Sequence, residues 1–205
     1  MTVTLFHTAE VHRSTFDALR DTIAPGLYLE HVVRVDWLDQ AQGGMTPDLE
    51  SEIVSAIQAV KGPVLCTCTT LGPTAEQAGA IRVDWPMMHA AAKAGGPIVM
   101  AYCLDSTWRP SLALLERALA EADSPAKVHP LFLGQYWPLF MADETEAFSV
   151  VIAGEIRQAV AVLDEVGCVV LAQASMAGAA PLLADLDVQV LASPELALRA
   201  VLHAT

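Results

Sequence analysis

Cys66 and Cys68 stand where an apolar run, Val64-Leu65-Cys66-Thr67-Cys68-Thr69-Thr70, meets Leu71-Gly72-Pro73. Apolar residues passing into small hydroxyl residues and then Gly-Pro read as a strand that gives way to a helix. A helix N-terminus stabilises negative charge, so a thiol placed there is a candidate thiolate. Simple burial is the competing role, because free cysteine is among the most buried residue types. A redox role for the pair is disfavoured by the tight ring that a C-x-C disulfide would close. No second cysteine pair and no His-x-x-x-His cluster follows, so a metal site is not expected. Neither G-x-G-x-x-G nor G-K-[ST] occurs, so no cofactor is expected either.

Composition narrows the partners. The chain has 205 residues, 54% of them hydrophobic and 17% charged, which predicts a well-buried globular protein rather than a disordered one. With 24 acidic and 11 basic residues the formal charge is -13, which repels nucleic acid and anionic lipid. Neither is expected as a partner. The start, Met1-Thr2-Val3-Thr4-Leu5-Phe6, lacks the features of a signal peptide, and no apolar run is long enough to span a membrane. A cytoplasmic protein with four reduced thiols is the expectation.

The elements that must position the thiols alternate between strand and helix. Thr2 to Phe6 reads as a strand ending at His7-Thr8, Ser14 to Thr22 as a helix, and Val32 to Trp37 as the next strand. Thr46-Pro47-Asp48 opens a helix carrying Leu49, Ile53, Ile57 and Val60 on one face. Pro63 to Cys68 is the third strand, followed by a short helix from Pro73, a short strand at Ile81-Arg82-Val83 and a helix from Pro86 to Ala94. The second half repeats the pattern. Strands are expected at Ile98 to Leu104, Val128 to Leu133, Cys168 to Gln173 and Val188 to Leu191. Helices are expected after Pro110, over Thr145 to Val166, after Gly178 and from Ser193-Pro194-Glu195 onward.

This alternation predicts an α/β protein with parallel sheets, in which ligands bind beyond the carboxyl ends of the strands. The halves match in order: His7-Thr8 with Ser106-Thr107, Val64 to Thr70 with Val169 to Ser175, and Asp84-Trp85-Pro86 with Ala192-Ser193-Pro194. An internal duplication into two pseudo-symmetric lobes is expected, 1–95 and 96–193, with the C-terminal helix 194–205 available to pack back on the first. The site is expected in the cleft between the lobes.

These residues give the chain a resemblance to the aspartate/glutamate/hydantoin racemase superfamily. It rests on His7-Thr8, Cys68-Thr69-Thr70, Arg82-Val83-Asp84-Trp85-Pro86-Met87, Ser106-Thr107, Gln173-Ala174-Ser175-Met176 and Ser193-Pro194, and covers nearly the whole chain. The resemblance implies cofactor-independent proton transfer at the carbon next to a carboxylate, with one thiol from each lobe addressing opposite faces. Cys68 is the implied first thiol and Cys66 its reserve. Thr8, Thr69, Thr70, Ser106, Thr107 and Ser175 are the implied hydrogen-bonding residues for a small carboxylate substrate.

The chain departs from this pattern at Gln173, which stands where the second thiol is expected and cannot transfer a proton at neutral pH. Three readings are open. One is a racemase or isomerase with another second base, His7 or His129. Another is a single-thiol decarboxylase of malonate-like acids. The last is a carboxylate-binding protein without turnover. In each, Gln173 is a binding group. A homodimer is the default expectation for a small intracellular enzyme. His7 and His129 equally suit structural roles, and Phe132, Tyr136, Trp137 and Phe140 suit either a substrate wall or the core.

Overall fold

The computed structural model describes residues 2–203, which form two compact units: 2–85 with 194–203, and 86–193. The first unit contains β1 (Thr2–His7), α1 (Val11–Ile23), β2 (Tyr28–Val33), α2 (Val35–Gln42), α3 (Pro47–Gln58), β3 (Val64–Cys66), α4 (Gly72–Gln77) and β4 (Ile81–Arg82). Helix α5 (Trp85–Ala94) leads into the second unit. Next come β5 (Ile98–Tyr102), α6 (Asp105–Glu121), β6 (Val128–Phe132), α7 (Trp137–Met141), α8 (Thr145–Val162), β7 (Cys168–Leu171) and β8 (Gln189–Ala192). Helix α9 (Ser193–His203) belongs to the first unit.

Each unit has one four-stranded sheet, ordered β2-β1-β3-β4 in the first and β6-β5-β7-β8 in the second, with every pair parallel. The identical order is the duplication expressed as topology. The third strand of each sheet is buried along its whole length, as in α/β sheets covered on both faces. Thr46 caps α3 as its sequence implies, its hydroxyl accepting from the Leu49 N–H at 3.3 Å.

Four local readings are corrected. The expected strand over Val32 to Trp37 ends at Val33, and Val35 begins a helix. Trp37, Leu38 and Ala41 are its buried residues, a spacing that serves a helix face. Helix α6 starts before Pro110, not after it, so Ser106 and Thr107 lie in its first turn. After β7 the chain makes two 3-10 turns, Ala174–Ala179 and Pro181–Leu183, where an α-helix is expected. Gly178 packs so closely that a Cβ would stand 2.4 Å from the Ser149 Oγ, and Pro181, three residues on, has no N–H to continue a helix. The units divide after Trp85, the first residue of α5, rather than at residue 95. On α5 the His89 Nε2 stands 3.4 Å from Glu121 of α6.

The first unit's core is gathered from distant stretches: Val3, Leu5, Phe16, Leu27, Leu29, Leu65 and Val83 with Ala197, Leu198 and Val201 of α9. Among the described residues no helix is long and apolar enough to cross a membrane. Leu198 is fully buried, so Leu198→Ala is expected to destabilise the first unit by about 3 kcal/mol. Urea unfolding of the two proteins, followed by far-UV circular dichroism, measures this directly.

Candidate active site

Strand β3 pairs with β1 so that Cys66 lies beside Phe6, and the Thr67 N–H extends the ladder by donating to the Phe6 carbonyl at 2.9 Å. Thr8 and Cys68 then emerge together at the carboxyl ends of these two strands. The Thr8 hydroxyl and the backbone N–H groups of Thr70 and Leu71 hydrogen-bond the Cys68 thiol. Burial pushes this thiol above its ordinary value, the three hydrogen bonds pull it down, and the nearby Asp84 carboxylate raises it again. The sulfur thus has donors placed to stabilise a thiolate, in surroundings that keep it basic.

Cys66 is placed differently. Its thiol faces inward, donates to the Cys68 carbonyl at 3.6 Å, and is pushed up to about 12 by burial. It is a packing residue.

His7 is completely buried, with both ring nitrogens engaged. Its Nδ1 is 2.8 Å from the Thr67 Oγ1, which donates its own proton to the Phe6 carbonyl at 3.0 Å. The hydroxyl has one proton to give, so it accepts from His7 Nδ1–H. The His7 Nε2 therefore accepts from His31 Nδ1–H at 2.7 Å, and the His31 Nε2 lies 3.3 Å from Asp17. Burial, with the charges of His12, His31 and Arg13, pushes His7 down to about 3. His7 is thus a neutral strut for Thr67, the residue between the two cysteines, and has no free nitrogen to act as a base.

Arg82 and Asp84 form a buried two-bond pair, Nε to Oδ1 at 3.0 Å and Nη2 to Oδ2 at 2.8 Å. The guanidinium lies flat against Gly72, where a Cβ would stand 2.7 Å from its Nε. Only glycine admits that approach at the start of α4. Thr69 and Thr70, both buried, lie between Cys68 and this turn.

In the second unit, Ala101 lies beside Leu171 and the Ala172 N–H donates to the Ala101 carbonyl at 2.9 Å. Ladder for ladder, Gln173 is the counterpart of Cys68. Its Oε1 accepts from the N–H groups of Cys103 at 2.6 Å and Leu104 at 3.1 Å, the residues leading into α6. Its Nε2 donates to no acceptor among the described residues. Ser175, the counterpart of Thr70, has a buried Oγ without a hydrogen-bond partner among the described residues. Thr107 is buried in the first turn of α6, its N–H donating to the Leu104 carbonyl.

The outer strands revise the matching of the halves. The Arg34 N–H donates to the His7 carbonyl, and the Leu133 N–H to the Tyr102 carbonyl. His7-Thr8 therefore correspond to Tyr102-Cys103, not to Ser106-Thr107. Likewise Arg82 lies beside Cys66 and Ala192 beside Leu171, so Asp84 corresponds to Pro194 rather than Ala192. Cys103, which the sequence matching passes over, is the residue this register brings forward.

His129 does not join the group. It pairs with Val99 near the amino end of edge strand β6, whose carboxyl end is Phe132. The expected aromatic cluster divides in two. Trp137, Phe140 and Phe148 pack together, while Phe132 stands against Tyr102 and remains 47% exposed. Among the described residues no group of three or more His, Cys, Asp or Glu is placed to hold a metal ion.

Two buried histidines set an acid limit. Burial pushes His12 down to about 4, as His7 is pushed to about 3, both from an ordinary 6.5. The unfolded chain binds more protons than the folded one between those values, so stability falls as pH drops from 6.5 through the folded-state values. A loss of about 3 kcal/mol between pH 6.5 and 5 is expected. Urea midpoints across that range, with His12→Leu flattening the slope, check it.

No family model matches the chain, and no curated protein matches it in sequence. Solved structures do. A glutamate racemase isoform from Bacillus anthracis superposes with a TM-score of 0.67 at 16% identity, covering 99% of this chain and 82% of that one. Glutamate racemase from Francisella tularensis gives 0.69 at 10% identity, covering 99% and 80%. Allantoin racemase from Klebsiella pneumoniae gives 0.67 at 18% identity, covering 99% and 86%. With its two four-stranded parallel sheets of identical strand order, the chain has the fold of these glutamate and allantoin racemases.

Proposed function

We propose that this chain is a cofactor-independent enzyme of the racemase and isomerase type, transferring a proton at the carbon α to a carboxylate or carbonyl of a small acid. Cys68 is its acid/base thiol. The observation that supports this is the set of donors around the sulfur: the Thr8 hydroxyl and the Thr70 and Leu71 N–H groups. A buried cysteine that only packs has no use for three donors, whereas a thiolate withdrawn from water does.

The thiolate takes the α-proton and becomes a thiol, and the electron pair left on carbon delocalises into the adjoining carboxylate or carbonyl. That oxygen then needs donors. Thr69 and Thr70 are the proposed donors in the first unit. Gln173, Ser175, Ser106 and Thr107 are the proposed carboxylate-binding residues of the second unit. The only buried guanidinium among the described residues belongs to Arg82 and is bonded to Asp84. Carboxylate recognition therefore rests on neutral donors.

One observation favours a second reading. The strand end matching Cys68 carries Gln173, so a single-thiol decarboxylase of malonate-like acids also fits, the thiol protonating the carbanion left by loss of carbon dioxide.

Incubation in deuterium oxide with L-glutamate, allantoin and methylmalonate tests both. Proton NMR is expected to show α-deuteration of a probe without carbon dioxide release, falling by about 1,000-fold in Cys68→Ala. Carbon dioxide release from methylmalonate identifies the decarboxylase instead, and no turnover of any probe refutes both. Because Cys68 lies above its ordinary value, the rate is expected to keep rising with pH through 9.0 rather than level off below it.

A further inference from the structure

We propose that Arg82 is a positioning residue for Cys68: its guanidinium, locked to Asp84, holds the turn from Thr69 to Gly72 so that the Thr70 and Leu71 N–H groups stay on the sulfur. This role rests on the reading of Cys68 as the reacting thiol, and it lies wholly within the first unit.

Arg82 closes β4 beside Cys66, and the Val83 N–H carries the ladder one step further by donating to the Cys66 carbonyl at 3.0 Å. The backbone that bears the guanidinium is thus tied to the strand that leads to Cys68. The side chain is buried, with its Nε donating to Asp84 Oδ1 at 3.0 Å, its Nη2 to Oδ2 at 2.8 Å, and its Nη1 3.8 Å from Glu76 of α4. Two parallel bonds to one carboxylate fix the plane of the guanidinium as well as its place. That plane abuts Gly72, where a Cβ would stand 2.7 Å from Nε, 3.0 Å from Cζ and 3.1 Å from Nη2. Gly72 directly follows Leu71, one of the two residues whose N–H groups reach the Cys68 sulfur, and its own N–H donates to the Thr69 carbonyl at 3.1 Å. Cys68 begins the turn and the guanidinium braces its end.

The glycine is explained by this contact. Gly72 is not among the glycines with positive φ, so its backbone would suit any residue, and what excludes a side chain is the guanidinium. Arginine is explained likewise, because lysine carries the same charge without the flat fork that takes two bonds from one carboxylate and lies face-on to a backbone.

The duplicated unit supplies a comparison. Counting on from the ladder match of Cys68 with Gln173, Ala177 stands in the place of Gly72, and Ala192 and Pro194 stand in the places of Arg82 and Asp84. Both units build the same strand order. The scaffold therefore forms without the glycine, the arginine or the aspartate, and all three occur in the unit that has the thiol at this strand end. Stability alone is a poor reason to keep the pair, since the lost hydration of two buried charges offsets their attraction and apolar residues of similar volume often do as well. What the pair supplies is fixed geometry.

The test uses the full chain labelled with carbon-13 at the cysteine Cβ, in wild type, Gly72→Ala and Arg82→Lys. Both variants keep the charges at positions 82 and 84, and they leave Cys66 of β3, Glu76 of α4 and the neutral His7 of β1 as they are, so a change at the sulfur reports a change of geometry. Leu198→Ala is the control, because it weakens the same unit without touching the turn. The Cys68 signal, assigned by its loss in Cys68→Ala, is followed by NMR from pH 7 to 11. The onset of thiolate formation is expected about one pH unit higher in Gly72→Ala and in Arg82→Lys, and unmoved in Leu198→Ala. In the wild type, the Thr70 and Leu71 amides are expected to exchange with deuterium oxide within about tenfold of the ladder amide of Thr67, and about 100-fold faster than that in the two variants. An onset unmoved in either variant, an equal shift in Leu198→Ala, or freely exchanging Thr70 and Leu71 amides in the wild type overturns the role of Arg82. None of these signals needs a substrate. Absence of α-deuteration with L-glutamate, allantoin and methylmalonate in the wild type overturns the proton-transfer reading, while the hold of Arg82 on the Cys68 turn stands or falls on the NMR signals.

Discussion

A sulfur taken out of water can carry negative charge only where the chain supplies donors in place of the lost solvent. A strand interior cannot, because its N–H groups are committed to the ladder. The first turn after a strand can, since the leading N–H groups of a helical turn have no partner within it. Cys68 occupies that position, one residue beyond the last ladder bond of β3, with the Thr70 and Leu71 N–H groups and the Thr8 hydroxyl turned toward it. Much of the first unit serves this constraint. His7 holds Thr67, Thr67 extends the ladder to Phe6, and Arg82 is fixed by Asp84 against a glycine that lets the guanidinium lie close to the turn.

The second unit repeats the scaffold but not the side chains. Its strand order is the same and its central ladder ends at the same step, yet Gln173 takes the place of Cys68 and turns its oxygen to the backbone leading into α6. Nothing in the second unit corresponds to the Arg82–Asp84 pair, because Ala192 and Pro194 occupy those positions. After duplication, matching backbones have held different side chains, and the two ends have become unlike in charge and hydrogen bonding.

The legible part of the sequence divides from the hidden part along physical lines. Strong periodicity located the strands, β2 only at its final residues, and the cap at Thr46 and the long apolar stripe of α8 were readable because local composition alone produces them. Cys68 stood out for the same reason, a thiol between an apolar run and a Gly-Pro turn. Register was not legible. Which residue of β1 corresponds to which residue of β5 depends on hydrogen bonds to β2, β3, β6 and β7, all distant in sequence. The similarity of His7-Thr8 to Ser106-Thr107 drew the match away from Tyr102-Cys103. The environment of His7 was hidden likewise, since its partners Thr67 and His31 come from two other parts of the sheet.

Helix α9 contributes Ala197, Leu198 and Val201 to a core whose other members are all made before residue 86. The second unit is thus inserted into the first, and the two have different histories during synthesis. The inserted unit has its whole sheet in hand once β8 leaves the ribosome, while the unit begun first waits, with one wall of its core missing, until the residues beyond Ser193 arrive. The order of translation and the order of completion are reversed. The core behind β3, with Leu65 in it, is closed only by residues made after the whole of the second unit.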